Sequence, residues 1–120
     1  MATPNLTAIT TVTPKILASA QMASGDNAAY TVPANKAAQI KTMVLSNVSG
    51  AAVTITVSVI PSGGSVDGTH KVVSGYSLAS NDSTTISEVV GSWLGAGDKV
   101  NVNAAAATAI DCVITGLEFA

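Results

Sequence analysis

Between residues 53 and 60 apolar and small polar side chains alternate one for one, with Val53, Ile55, Val57 and Val59 set against Thr54, Thr56 and Ser58. A two-residue period belongs to a strand with one buried and one wet face. β-Branching at nearly every position stiffens χ1 and favours a pleated surface over a helix. Pro61 cannot donate to a ladder, so the strand ends there, and Ser62-Gly63-Gly64-Ser65 opens a loop that runs to His70. Residues 38–47 alternate in their first half, while Met43-Val44-Leu45 is apolar on both sides, as expected where the outer face is also covered. Asn47-Val48-Ser49-Gly50 supplies turn chemistry between the two segments. The expectation is a hairpin of these strands, with residues 53–60 central.

The rest of the chain reads as further short strands near ten-residue spacing. Residues 28–32 form one that Pro33 stops, and residues 71–78 form another, interrupted by Gly75. Residues 83–90 read as strand, Gly95-Ala96-Gly97-Asp98 as a tight turn, and Val100 and Val102 share a face opposite Asn101 and Asn103. Residues 104–109 suit a flat connection, and residues 110–119 a last strand that ties the C-terminus into a sheet. At the start, a Thr-rich stretch between Pro4 and Pro14 alternates weakly at Leu6, Ile9 and Val12. Ile16, Ala18, Ala20 and Met22 then share strand parity, with a short helix as the alternative because Ala, Leu, Gln and Met are helix formers. The sum is an all-β protein: a single antiparallel β-sandwich of about eight strands over residues 25–120, jelly-roll-like or immunoglobulin-like, after an extended N-terminal arm over residues 1–24. Strand order does not follow from the pattern.

Composition narrows what such a sandwich can do. Hydrophobic residues make up 48% of the 120 but aromatics only 3%, so the core must be built from Val, Ile, Leu and Ala. Such a core is thin, since each aromatic would bury about 150–250 Å², and self-association is a natural way to bury more. Charged residues are 10%, against about a quarter in ordinary soluble proteins, and the net charge is −2 without a single arginine. No basic patch exists to release counterions from phosphates and no aromatic stack to hold bases, which argues against nucleic acid. No apolar run approaches the ~20 residues of a spanning helix, which argues against a membrane. Met1-Ala2-Thr3-Pro4-Asn5 lacks the basic start and apolar core of a signal peptide, so the expected place of synthesis and assembly is the cytoplasm. The lone Cys112 cannot form an internal disulfide.

Candidate chemistry is sparse. His70 and Cys112 would need to lie within hydrogen-bond reach to act as base and nucleophile. Cys112 shares parity with Ile110 and Ile114 and reads instead as a small core residue, and His70 as an exposed or capping loop residue. One His and one Cys do not make a zinc site. Asp26, Asp67, Asp82 and Asp98 sit among Gly, Ser and Asn, where side-chain bonds to nearby backbone account for them, and no spacing resembles a calcium loop. Glu88, Asp111 and Glu118 are scattered, with no pair to nominate for glycoside hydrolysis. Gly63-Gly64-Ser65-Val66-Asp67-Gly68 lacks the Lys-Ser/Thr ending of a phosphate loop. Trp93, Tyr30 and Tyr76 are few for a sugar-stacking platform. The expectation is no catalytic residue, no metal and no cofactor.

Tyr30-Thr31-Val32-Pro33-Ala34-Asn35-Lys36, followed by the strands of residues 40–47 and 53–60, resembles a recurrent opening in small virion proteins of tailed bacteriophages. Ser77-Leu78-Ala79-Ser80-Asn81-Asp82-Ser83-Thr84, Trp93-Leu94-Gly95-Ala96-Gly97-Asp98-Lys99-Val100 and Thr115-Gly116-Leu117-Glu118 are similar to later turns and the close of that pattern. The resemblance covers about residues 28–120 and implies an accessory virion component, either a minor tail or tail-tip protein or a capsid decoration protein. It implies a virion location, copies of itself and other virion proteins as partners, and no catalytic residues. Interface candidates are Leu6, Ile9 and Val12 in the arm, and Met43, Leu45 and Trp93 in the sandwich. The alternative is a module that binds a glycan or receptor on a host surface, through Trp93 and Tyr76.

Overall fold

The computed structural model describes residues 9–66 and 68–120. Among them are nine strands: β1 (Val12–Gln21), β2 (Gly25–Thr31), β3 (Ala37–Asn47), β4 (Val53–Ile60), β5 (Lys71–Leu78), β6 (Ser83–Thr85), β7 (Trp93–Leu94), β8 (Lys99–Ala104) and β9 (Ile110–Phe119). One sheet runs β1-β9-β3-β6, with β7 also paired to β3, and the second runs β2-β8-β4-β5. All pairings are antiparallel. The two sheets pack face to face as a β-sandwich. Most connections carry the chain from one sheet to the other, and only β4 to β5 and β6 to β7 stay within a sheet.

The core is aliphatic. Ile40, Met43, Leu45 and Ile114 from the first sheet and Ile55, Val57, Val100 and Val102 from the second have no exposed surface. Burying each such side chain contributes about 1.5–3 kcal/mol. Tyr30 brings an aromatic ring into the same cluster.

The hairpin expected of β3 and β4 does not form, because these strands lie in opposite sheets. Alternation cannot tell the two arrangements apart: strands facing each other across a core show the same period as strands paired side by side. Asn47 decides the matter locally. Its buried side chain donates to the Ala51 carbonyl at 2.8 Å and to the Leu78 carbonyl, at the end of β5 in the second sheet, at 2.9 Å. Its Oδ1 accepts the Ser49 N–H at 3.0 Å and the Ser49 hydroxyl at 2.7 Å. The turn-forming residues therefore steer the chain across the sandwich. In β4 itself the assignment holds: it is central, flanked by β8 and β5.

Two other expectations shift. Much of the anticipated arm is sheet: β1 pairs with β9 from Val12 opposite Phe119 to Gln21 opposite Asp111. The Thr10 and Thr11 N–H groups both reach the Ala120 carbonyl, so the sandwich extends back to residue 10, and residues 1–8 lie outside the described residues. An irregularity between Ile16 and Ala18 shifts the register, leaving Ile16 outward and Leu17 and Ala18 packed on the core. The strand expected over residues 83–90 ends after Thr85 and gives way to a 3₁₀ turn at Ser87–Val89. Ile86 and Val89, three apart, are both buried, a spacing that suits a turn better than a strand.

Candidate functional site

The outward side of the first sheet carries exposed apolar side chains among polar ones such as Thr42, Thr115 and Asp111. Val12 (53% exposed), Ile16 (61%), Trp93 (48%) and Val113 (38%) stand on it. The registers join them: Val12 lies opposite Phe119, Phe119 stacks on Trp93 with ring centroids 5.1 Å apart, and Val113 lies opposite Val44. Thr42 and Thr115 join hydroxyls between these groups. β1 is the edge strand here, and Pro14 within it lacks the N–H that a further strand would need at that point. The one charge on β1, Lys15, is drawn to Glu118, so no charge interrupts the apolar positions of this edge.

Of the expected interface residues, Trp93 and Val12 stand on this face, and Ile9 is half-buried just before β1. Leu6 lies outside the described residues. Met43 and Leu45 are fully buried between the sheets, which removes them as contact residues; the apolar side chain that β3 turns outward there is Val44. A run of three apolar residues fixes that one face is buried and leaves the parity open. Ile16 and Val113 are the residues the sequence pattern passed over, and the register shift in β1 explains the first of them.

Trp93 and Tyr76 belong to opposite sheets, β7 on the first and β5 on the second, so they form no joint sugar platform.

A polar knot closes one end of the sandwich. Glu118 of β9, only 5% exposed, accepts the Tyr30 hydroxyl at 2.7 Å and the Lys15 ammonium at 3.1 Å, with the Lys36 ammonium at 3.6 Å. Burial pushes the Glu118 carboxyl up, but the hydrogen bonds from Tyr30 and Lys15 and the charges of Lys15 and Lys36 outweigh it and leave the group below its usual range. Burial, with the facing carboxylate, holds the Tyr30 hydroxyl above the ordinary tyrosine value. Beside the knot, buried Asp98 accepts the Gly95 N–H at 2.8 Å and the Ser62 N–H at 2.9 Å, which closes the expected Gly95–Asp98 turn and pins the start of loop 61–70.

Asp82 accepts the Ser83 N–H, as expected of a turn aspartate. Asp26 does not serve as one: it lies in β2, and its Oδ1 accepts the side-chain amides of Asn101 at 3.2 Å and Asn103 at 2.9 Å. Asp67 lies outside the described residues. Cys112 is buried in the core, and burial pushes its thiol up to about 11. No group of three or more His, Cys, Asp or Glu that could hold a metal occurs among the described residues. Comparison with protein-family models, curated proteins and solved structures finds no match to this chain.

Proposed function

We propose that this chain is a non-enzymatic structural protein of a tailed-bacteriophage virion, self-associating and docking on other virion proteins as a minor tail, tail-tip or capsid decoration protein. The observation that carries the reading is the set of large apolar side chains on the outward face of the first sheet, where Val12, Ile16, Trp93 and Val113 stand exposed on a small protein with few charges. Several large apolar side chains exposed on one sheet face suit protein–protein contact. Few charges mean little repulsion between copies.

Two further features support it. The strand orders β1-β9-β3-β6 and β2-β8-β4-β5, with most successive strands alternating between sheets, correspond to a jelly roll better than to an immunoglobulin sandwich. Jelly rolls recur in viral capsid proteins and also in lectins, so this is support by fold analogy. Tyr30, Lys36 and Glu118, from the first and last segments that resemble phage virion proteins, meet in the polar knot, where their role is to hold the sheets together.

Gold-labelled antibody on intact particles, viewed by electron microscopy, tests the reading. Label over the head supports decoration, and label at one end of the tail supports a tail role. Particles that carry no label would sink the virion assignment. The native mass of the purified chain tests self-association separately: a multiple of the protomer mass is expected, and a monomer at every concentration would contradict it.

A further inference from the structure

The outward side of the second sheet is polar, and it carries a cleft of about 350 Å³. Two rows of side chains cross its floor. Asn101 of β8 lies opposite Ser58 of β4, which lies opposite Lys71 of β5; one step along, Asp26 of β2 lies opposite Asn103, which lies opposite Thr56. Val66 and Gly68, from the chain between β4 and β5, line one side. Asp98 holds the start of that loop through the Ser62 N–H, so the wall is anchored.

Ser58 is the unusual member. It is 1% exposed, and its Oγ has no hydrogen-bond partner, alone in this among the buried side-chain polar atoms of the described residues. Buried hydroxyls are nearly always paired, and an orphan costs stability. Around it the other polar groups are already oriented. Asn101 and Asn103 both donate to Oδ1 of Asp26, which turns the carboxylate toward the cleft and leaves Oδ2 without a donor among the described residues.

The lining selects the class of ligand. Among the described lining residues one carboxylate and one ammonium balance, so their net charge favours neither an anion nor a cation. The single carboxylate among the described lining residues falls far short of the roughly 6–8 oxygens that calcium takes. Among the described residues the lining contains no aromatic ring on which a base could stack. What it offers is a mixed array: a carboxylate and amide oxygens that accept, amide and ammonium N–H groups that donate, and hydroxyls that do both. A molecule with several adjacent hydroxyls, each both donor and acceptor, matches such an array. The volume lies at the small end of the ~300–1,000 Å³ typical of ligand pockets.

We propose that this cleft binds a neutral polyhydroxylated ligand of pyranose size, with a ligand hydroxyl pairing with Ser58 Oγ, others donating to Asp26, and Val66 covering the C–H side. The site lies on the opposite sheet from the apolar face, so it does not depend on the proposed assembly role and is compatible with it.

Titration of the ¹⁵N-labelled full chain with D-glucose, D-galactose and N-acetyl-D-glucosamine, followed by amide shifts, tests it. At least one sugar should give saturable shifts confined to Ser58, Asn101, Asn103 and their neighbours. Ser58→Ala removes an unpaired hydroxyl and should leave the fold intact while weakening binding about fivefold, the loss of one hydrogen bond. Asp26→Asn should weaken it at least as much. No saturable shift with any of the three sugars would mean that water alone serves Ser58 and would overturn the proposal. Shifts located on the first sheet, or an affinity that Ser58→Ala leaves unchanged, would do the same.

Discussion

Tyr30 and Glu118 stand 88 residues apart in the chain, yet the tyrosine hydroxyl donates to the glutamate Oε2 at 2.7 Å across the closed end of the sandwich. Tyr30 belongs to β2 of one sheet and Glu118 to β9 of the other, so this bond ties the two layers directly. A hydrogen bond to a buried charged group contributes about 1.5–3 kcal/mol. Tyr30→Phe should therefore lower unfolding stability by about 2 kcal/mol in urea titration. Lys15→Ala should cost under about 1 kcal/mol, because Lys15 is exposed and its ion pair is solvent-screened. A Lys15→Ala loss as large as that of Tyr30→Phe would show that the knot is organised around the lysine instead.

The same knot sets a pH dependence. The folded-state pKa of Glu118 is lowered, so its contribution is fully present above the ordinary glutamate value near 4.5 and is lost as pH falls through the lowered one. Tyr30 is raised, so its contribution is present below the ordinary tyrosine value of 10.0 and is lost as pH climbs past it. Unfolding midpoints measured across acid pH should fall below about 4.5 in the parent protein, and that fall should be shallower in Glu118→Gln. Parallel curves for the two proteins would remove Glu118 as a source of the acid sensitivity.

Gly116 sits where β9 passes β3 at a register irregularity between Ile40 and Thr42. A Cβ there would fall on the Gln39 carbonyl oxygen, and Leu17 Cδ1 lies 3.1 Å from it on another side. Backbone cannot yield as a flexible side chain can. Gly116→Ala should cost about 3 kcal/mol, the upper end of overpacking effects, seen as a drop in thermal midpoint. Gly50→Ala, with open space around its Cβ position, should change little.

Cys112 should be inert in the folded protein. It is 1% exposed, and its thiol is pushed up to about 11, so little thiolate forms near neutrality. A thiol-reactive chromophore should label it only after denaturant is added, at a rate limited by unfolding. Rapid labelling of the native chain would contradict the core placement.

Removing the Asn47 side chain should damage the β3–β4 crossover. Asn47→Ala leaves the Leu78 carbonyl and the Ser49 N–H without their partner, at about 1–3 kcal/mol for each group that stays buried and unpaired, while the Ala51 carbonyl keeps the Ser49 hydroxyl at 2.9 Å. Asn47→Asp keeps the acceptor for Ser49 but sets a buried carboxylate oxygen against the Ala51 and Leu78 carbonyl oxygens, so it should cost at least as much as Asn47→Ala; a clearly smaller loss would point to a role for Asn47 outside these bonds.

Much of the architecture can be read from residue order because strand character is local. The alternation of residues 53–60, the stops at Pro33 and Pro61, the Gly95–Asp98 turn, the inward parity of Cys112 and the all-β class all depend on neighbours one to four residues away. Aliphatic side chains of one size class carry no label for their partner, however, so alternation says that a strand has an inner face without saying which sheet it joins. That is why β3 and β4 read as a hairpin and prove to be opposed, and why the outward member of Met43-Val44-Leu45 was open until β3 was packed. The Glu118 knot, the pairing of Asp26 with Asn101 and Asn103, and the orphaned hydroxyl of Ser58 join residues from distant strands. Each exists only because chain crossings bring those strands together, and the closure of such long loops is decided by the packing of the whole core rather than by any one segment.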